Sequence, residues 1–139
     1  LGITRGTTQN HIIRAAEESI AYQSADLMGA MEKDTGIKIK TLKVDGGASA
    51  NNYLMQTMAD LSNVPVQRPS CVETTALGAA YLAGLAVGYW KSTDDVLQNW
   101  SVDRTFTPNI TPEERKKRVK GWNKAVRCAY HWAKDEEDE

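Results

Sequence analysis

The chain has 139 residues, of which 41% are hydrophobic and 25% charged, with a net charge of −1. That balance fits an ordinary globular protein with one core. It argues against whole-chain disorder, a collagen-like or repeat fibre, and bulk attraction to nucleic acid or membranes.

No apolar run reaches the roughly 20 residues of a membrane-spanning helix, and nothing at the start reads as a signal peptide. Cys71 and Cys128 make no disulfide framework and no metal-ligand spacing, which fits a reducing cytoplasm. From Leu1 to Thr8 the chain reads as a turn, and Thr7 or Thr8 is placed to cap a helix. Ile13, Ala16, Ile20, Leu27 and Met31 then recur at helical spacing, with Glu17, Glu18 and Asp26 off the stripe. Lys33 followed by Gly36 marks the helix end. Ile39 to Val44 predicts a short strand, broken by Asp45-Gly46-Gly47. A second helix carries Leu54, Met58 and Leu61 on one face. Val64-Pro65-Val66 predicts a second strand, where Pro65 suits an edge or a strand start. Ser70 to Glu73 has capping-box spacing. Beyond it, Thr75 to Val87 predicts a helix apolar on all sides, and such a helix is expected to be buried.

Ser92-Thr93-Asp94-Asp95 starts a short helix ending near Trp100, and Val102 to Phe106 reads as an extended connection. Thr111-Pro112-Glu113-Glu114 opens a long amphipathic helix bearing Val119, Trp122, Val126 and Ala129. Helices alternating with strands predict an α/β layer fold with its strands in one sheet. Two strands make a marginal sheet, and the chain opens on Leu1, not Met. A piece of a longer protein, with further strands upstream, is therefore the expectation; cleaved processing is the plainer alternative.

Charge is unevenly spread. With the acids of 135–139 set aside, 13 acidic residues face 17 basic ones, a balance of +4. The tail reads as a solvated end. The basic run from Arg115 to Arg127, with Lys116, Lys117, Arg118, Lys120 and Lys124, reads as the wet face of a helix rather than a nucleic-acid patch, because Glu113 and Glu114 start the same helix and no interleaved aromatics face the charges.

The stretch Val44 to Asn52 carries the chemistry. A strand ends, two glycines turn the chain, small residues follow and a helix begins. Paired glycines let an anionic or planar ligand approach the backbone, and a helix start favours a phosphate. Asn51 offers a donor and an acceptor, which suits an adenine edge or a ribose hydroxyl. Neither a Walker loop nor a dinucleotide fingerprint is present. A tight turn with small residues for close helix–strand packing fits the same spacing. Asp45 suits either a base, a metal ligand or a cap on the turn. His11 and His131 have no Cys or acid nearby at metal spacing. Cys71 and Cys128 read as small buried residues. The small residues Gly78, Ala79, Ala80, Ala83 and Gly84 read as a close-packing face, and Trp90, Trp100, Trp122 and Trp132 as anchors of the helical end.

In order, Gly2 to Gly6, His11 to Ala15, Val44 to Ala48 and Thr74 to Gly84 resemble the C-terminal domain of the FGGY carbohydrate kinases. The resemblance runs from Gly2 to Trp132. Gly84 to Trp90 and Gly121 to Val126 look most like the members that act on glycerol. The resemblance implies an actin/hexokinase/Hsp70-like (ribonuclease H-like) fold, helix-rich with a short sheet. In that fold two α/β domains close on a cleft that holds ATP. Residues 1–134 would belong to the C-terminal domain, with 135–139 a disordered acidic tail. ATP or ADP, with Mg²⁺, would be the cofactor. Gly46 and Gly47 would face its phosphates and ribose, Ala48 would be small enough to clear it, and Asn51 would bond the adenine. The Thr74 to Gly88 helix would lie near the interdomain hinge.

Glycerol and the catalytic aspartate would belong to an N-terminal domain, so no catalytic residue and no metal ligand are implied in this chain, which is expected to be inactive alone. Family members often form dimers or tetramers. A pentulose or hexulose kinase of the same family, and a non-catalytic module binding a partner through its basic helix, are the alternatives. The family pattern has an apolar residue where this chain has Glu17. A buried glutamate costs several kcal/mol unless paired, so that turn is expected to be more exposed.

Overall fold

The computed structural model describes residues 1–130. The expected acidic tail at 135–139, with His131 and Trp132, lies outside the described residues. Helix α1 spans Gln9–Thr35. Thr8 begins it, and its N–H donates to Nδ1 of His11 at 3.1 Å, so His11 closes the helix start. Gly36 ends it at φ 70°, and its N–H reaches the Glu32 carbonyl at 2.9 Å. Strand β1 is Leu42–Lys43, shorter than the predicted Ile39 to Val44. A single 3-10 turn, Gly47–Ala50, leads into α2, Asn52–Ser62.

Strand β2 is Val66–Pro69, shifted toward the C-terminus from the predicted Val64 to Val66. Pro65 stands just before it, and its carbonyl accepts the Leu42 N–H at 2.9 Å. Helix α3 is Thr74–Ala86 and α4 is Thr93–Leu97. Val102–Phe106 is not a mere connection but strand β3. Helix α5, Pro112–Ala129, begins as its sequence predicts, with the Thr111 side chain accepting from the Glu114 N–H.

The sheet therefore has three strands in the order β1-β2-β3. β1 runs parallel to β2, with Leu42 opposite Val66. β3 runs antiparallel to β2, with Val66 opposite Phe106 and Arg68 opposite Arg104. The register then slips: Pro69 faces Val102, and Asp103 has no partner across the pair.

Leu54, Met55, Met58, Ala59 and Leu61 of α2 meet Ala21, Val66 and Phe106 in the core, with Tyr22, Leu42 and Val119 packed around them. Trp122 anchors α5 to α1. Its ring stacks on Tyr22 with centroids 5.1 Å apart, and its Nε1 donates to Asp26 at 2.6 Å. The face that α1 buries is not the predicted stripe: Ala21 and Met28 are buried, while Ile13, Ala16, Ile20, Leu27 and Met31 are all exposed. Ile20, Leu27 and Met31 line a cleft of about 350 Å³ between α1 and the β1–α2 segment.

Two further expectations are corrected. Helix α3 contains no buried residue, because no other helix or strand among the described residues lies along it. The Ser70 capping box does not form. Glu73 precedes the helix without a side-chain cap bond, and Ser70 is drawn instead to the residue just before β3, its N–H reaching the Ser101 carbonyl at 2.9 Å. Among the described residues no helix is long and apolar enough to cross a membrane.

Candidate functional site

The Val44 N–H still reaches the Gln67 carbonyl at 3.1 Å, and beyond it the chain leaves the sheet. Gly46 makes the exit at φ +75°, a conformation that side chains with a Cβ rarely adopt. Its N–H donates to the Val72 carbonyl at 2.9 Å. The 3-10 turn closes when the Ser49 N–H reaches the Gly46 carbonyl at 3.0 Å, and the buried Ser49 hydroxyl donates to that same oxygen at 2.7 Å. Gly47 has an ordinary φ, and nothing lies within 4 Å of where its Cβ would stand. Gly46 is thus required by conformation, whereas Gly47 keeps a space open. Ala48 and Ala50 are exposed beside it.

Asn51 ends this turn and starts α2. Its Oδ1 accepts the Leu54 N–H at 3.1 Å, and its Nδ2 donates to Oε1 of Glu17 at 2.8 Å. Each end of the carboxamide keeps one further bonding position. The capping role was missed in the sequence, although an Asn one residue ahead of an apolar helix is a strong cap signal. Glu17 is only partly buried, and its bond to Asn51 offsets the desolvation that its position off the family pattern implies.

Neighbouring residues tie the turn to its surroundings. Asp45 accepts a hydrogen bond from the Thr74 hydroxyl at the start of α3, as a strand-end carboxylate holding the turn would. Lys43 places Nζ 4.1 Å from the centroid of the Trp100 ring, so Trp100 flanks the turn rather than anchoring the helical end. Arg68, which sequence reasoning passed over, sends Nη1 to the Ser49 carbonyl at 2.9 Å and to Oδ1 of Asn52 at 3.0 Å. Its Nε and Nη2 meet Asp103 at 2.8 and 2.7 Å. A basic residue in a strand carries no local signal for this reach, since the turn it holds lies 16 to 19 residues earlier in the chain.

Glu18 sits beside the turn's far end. It accepts from Arg14 Nε at 2.7 Å and from the Tyr53 hydroxyl at 2.5 Å. Burial pushes its pKa up, but the bonds from Tyr53 and Arg14 outweigh that and hold it below the usual carboxylate value. Burial, and then the bond to Glu18, raise the Tyr53 pKa.

Other candidates lie apart from the turn. Cys71 and Cys128 are exposed free thiols, not the buried residues expected. The small face of α3 has one clear use: a Cβ on Gly84 would overlap the Trp90 ring, which also meets Tyr81 edge-on. Among the described residues no group of three His, Cys, Asp or Glu is placed to hold a metal ion.

Residues 1–87 match the C-terminal domain of the FGGY family of carbohydrate kinases. The chain is 60% identical over 136 residues to a glycerol kinase of Agathobacter rectalis, covering 98% of this chain and 27% of that protein. It superimposes on Plasmodium falciparum glycerol kinase, whose crystal structure was determined with ADP, at a TM-score of 0.81 and 36% identity, over 94% of this chain and 26% of that one. A ligand-bound xylulose kinase from Lactobacillus acidophilus matches at a TM-score of 0.77 over 97% of this chain and 27% of that one; at 24% identity it speaks for the fold alone. The chain thus spans about a quarter of the length of the relatives it matches. A mixed sheet, a glycine exit from its first strand and a match over most of the chain agree: the chain belongs to the FGGY family of carbohydrate kinases, in its C-terminal domain, with the actin/hexokinase-like fold of that family.

Proposed function

We propose that this chain is the nucleotide-holding part of a longer kinase that transfers the γ-phosphoryl group of ATP to glycerol, yielding glycerol 3-phosphate. The 60% identity to a glycerol kinase across nearly the whole chain carries this reading. The turn supports it physically. Gly46 and Gly47 leave an open backbone face, Ala48 adds little bulk, and Asn51 keeps a donor and an acceptor position beyond its cap and its bond to Glu17. These four residues would hold ADP or ATP. When bound, ATP supplies the phosphoryl group and Mg²⁺ neutralises charge on its phosphates. The described residues offer no carboxylate cluster for that ion, so Mg²⁺ would be carried by the nucleotide and by residues elsewhere in the parent protein. This chain's own part is positioning.

Gly47→Val is the direct test, in the full-length protein that carries this chain. The backbone at Gly47 accepts a Cβ and the space before it is open, so the variant is expected to fold normally. ADP affinity should fall by roughly tenfold or more, while glycerol affinity, measured by calorimetry, stays the same. Equal losses for both ligands would overturn the assignment of the turn. Glycerol-dependent ATP turnover by the 139-residue chain alone would overturn the division of labour.

A further inference from the structure

We propose that Arg68 is the positioning residue of the nucleotide-facing turn, an inference that rests on the function proposed above. The last carbonyls of a helical turn have no partners within it. Here Nη1 of Arg68 donates to the Ser49 carbonyl at 2.9 Å and to the Ala50 carbonyl at 3.3 Å, and also to Oδ1 of Asn52 at 3.0 Å. One guanidinium nitrogen thereby joins the end of the 3-10 turn to the first residue of α2. The other side of the same planar group is held by Asp103. Charge-assisted bonds of this kind are the strong ones, and only the arginine fork spans two sets of acceptors at once.

The sheet is shaped for this contact. Arg68 lies opposite Arg104, a like-charge pairing that destabilises a regular ladder. The slip in register at Arg68 and Pro69 leaves Asp103 outside the pairing, and its carboxylate turns onto Arg68. An irregularity of this sort re-aims a side chain. Only 13% of the Arg68 side chain is exposed, although Asp103 is 48% exposed, so the guanidinium is covered on the turn side and its ion pair opens to water at the carboxylate. Ser49 on the Gly46 carbonyl, the Gly46 N–H on the Val72 carbonyl and Asn51 on Glu17 hold the rest of the turn, while Arg68 holds the carbonyls at its end. A turn left loose must be ordered when ligand binds, and that ordering is subtracted from affinity.

The test compares Arg68→Met, Arg68→Lys and Asp103→Asn in the full-length protein, with ADP binding by calorimetry and steady-state KM values for ATP and glycerol. Arg68→Met is expected to raise the ADP Kd and the ATP KM by about 10- to 100-fold, leaving the glycerol KM unmoved. Arg68→Lys keeps the charge but not the fork, and should fall between Met and the wild type. Asp103→Asn should weaken ADP binding in the same direction and by less. An unchanged ADP Kd, or equal shifts in the two KM values, would overturn the proposal. If Arg68→Met fails to fold, the other two variants decide: unmoved ADP Kd in both overturns it. Wild-type protein that binds no ADP would overturn the function proposed above and this inference with it. Wild-type binding with unmoved variants would overturn Arg68 alone.

Discussion

Helices α2 and α3 are both short and rich in apolar and small residues, yet they end in opposite environments. Seven of the 11 residues of α2 are buried, and none of the 13 in α3. The apolar residues of α2 meet four neighbours at once, α1, β2, β3 and α5. Its one buried carboxylate, Asp60, is bonded by Gln56 Nε2 at 2.9 Å and by the Asn109 N–H at 2.7 Å, so nothing polar is stranded inside. The apolar residues of α3 lie on all sides, and Trp90 covers part of it at Gly84 and Tyr81. Hydrophobicity states what gains from burial; a neighbouring surface decides what is buried.

The largest expected effect follows from that contrast. Leu54→Ala removes a side chain from the core and should cost about 2–5 kcal/mol in urea unfolding. Leu82→Ala in α3 removes one that is 71% exposed and should change stability by less than about 0.5 kcal/mol. Similar losses at both sites would show that α3 is packed in solution and would break the comparison.

A smaller effect separates the two helices at their tightest points. Gly84→Ala places a Cβ in the Trp90 ring, and crowding of this kind costs about 1–3 kcal/mol. Because Trp90 covers an otherwise uncovered helix, the ring should swing away and the change should be read in its fluorescence. With Trp90→Ala the ring is gone, so adding Gly84→Ala to that variant should carry none of the stability cost it has in the wild type. A cost that persists would mean that Gly84 serves some other close approach.

The elements whose causes are local were legible in the sequence: the α1 stop at Gly36, the α5 start at Thr111, and the glycine exit after Val44. Those whose causes are remote were not. Val102 to Phe106 sets three polar residues between two apolar ones, too weak an alternation to mark a strand, and it becomes one because β2 offers an edge for Phe106 and Thr105 to pair with. Ser70 to Glu73 has the spacing of a capping box, but Ser101, just before β3, competes for Ser70. At the candidate site the glycines and Asn51 stood out by residue type. Arg68 did not, and Glu17 stood out as a departure from the family pattern but not as a partner of Asn51, because each acts on a segment distant in sequence. The burial expected of α3 failed for the same reason, since periodicity names no partner.

The smallest effect concerns how α1 holds α2. Glu18 accepts from Tyr53 of α2 and from Arg14 one turn back along α1. Its folded pKa is held below the ordinary 4.5 by those bonds, despite the burial that raises it. A carboxylate with a depressed folded pKa stabilises the fold fully above its unfolded pKa, and that contribution is lost as pH falls from there through the folded value. The Glu18 side chain is only 18% exposed but its partner Arg14 is 58% exposed, so after solvent screening the contribution is about 1 kcal/mol or less. Glu114, paired with Arg118 on α5, has a lowered pKa as well and titrates in the same acid range. The acid branch of the wild-type stability curve therefore does not isolate Glu18, but the difference between wild type and Glu18→Gln does. That difference should be constant near neutrality and shrink below about pH 4.5. A difference that stays constant to pH 2 would mean that the Tyr53–Glu18–Arg14 link is not formed in solution. The α1–α2 contact would then rest on apolar packing alone, which would sharpen the contrast with α3 into one of neighbours only.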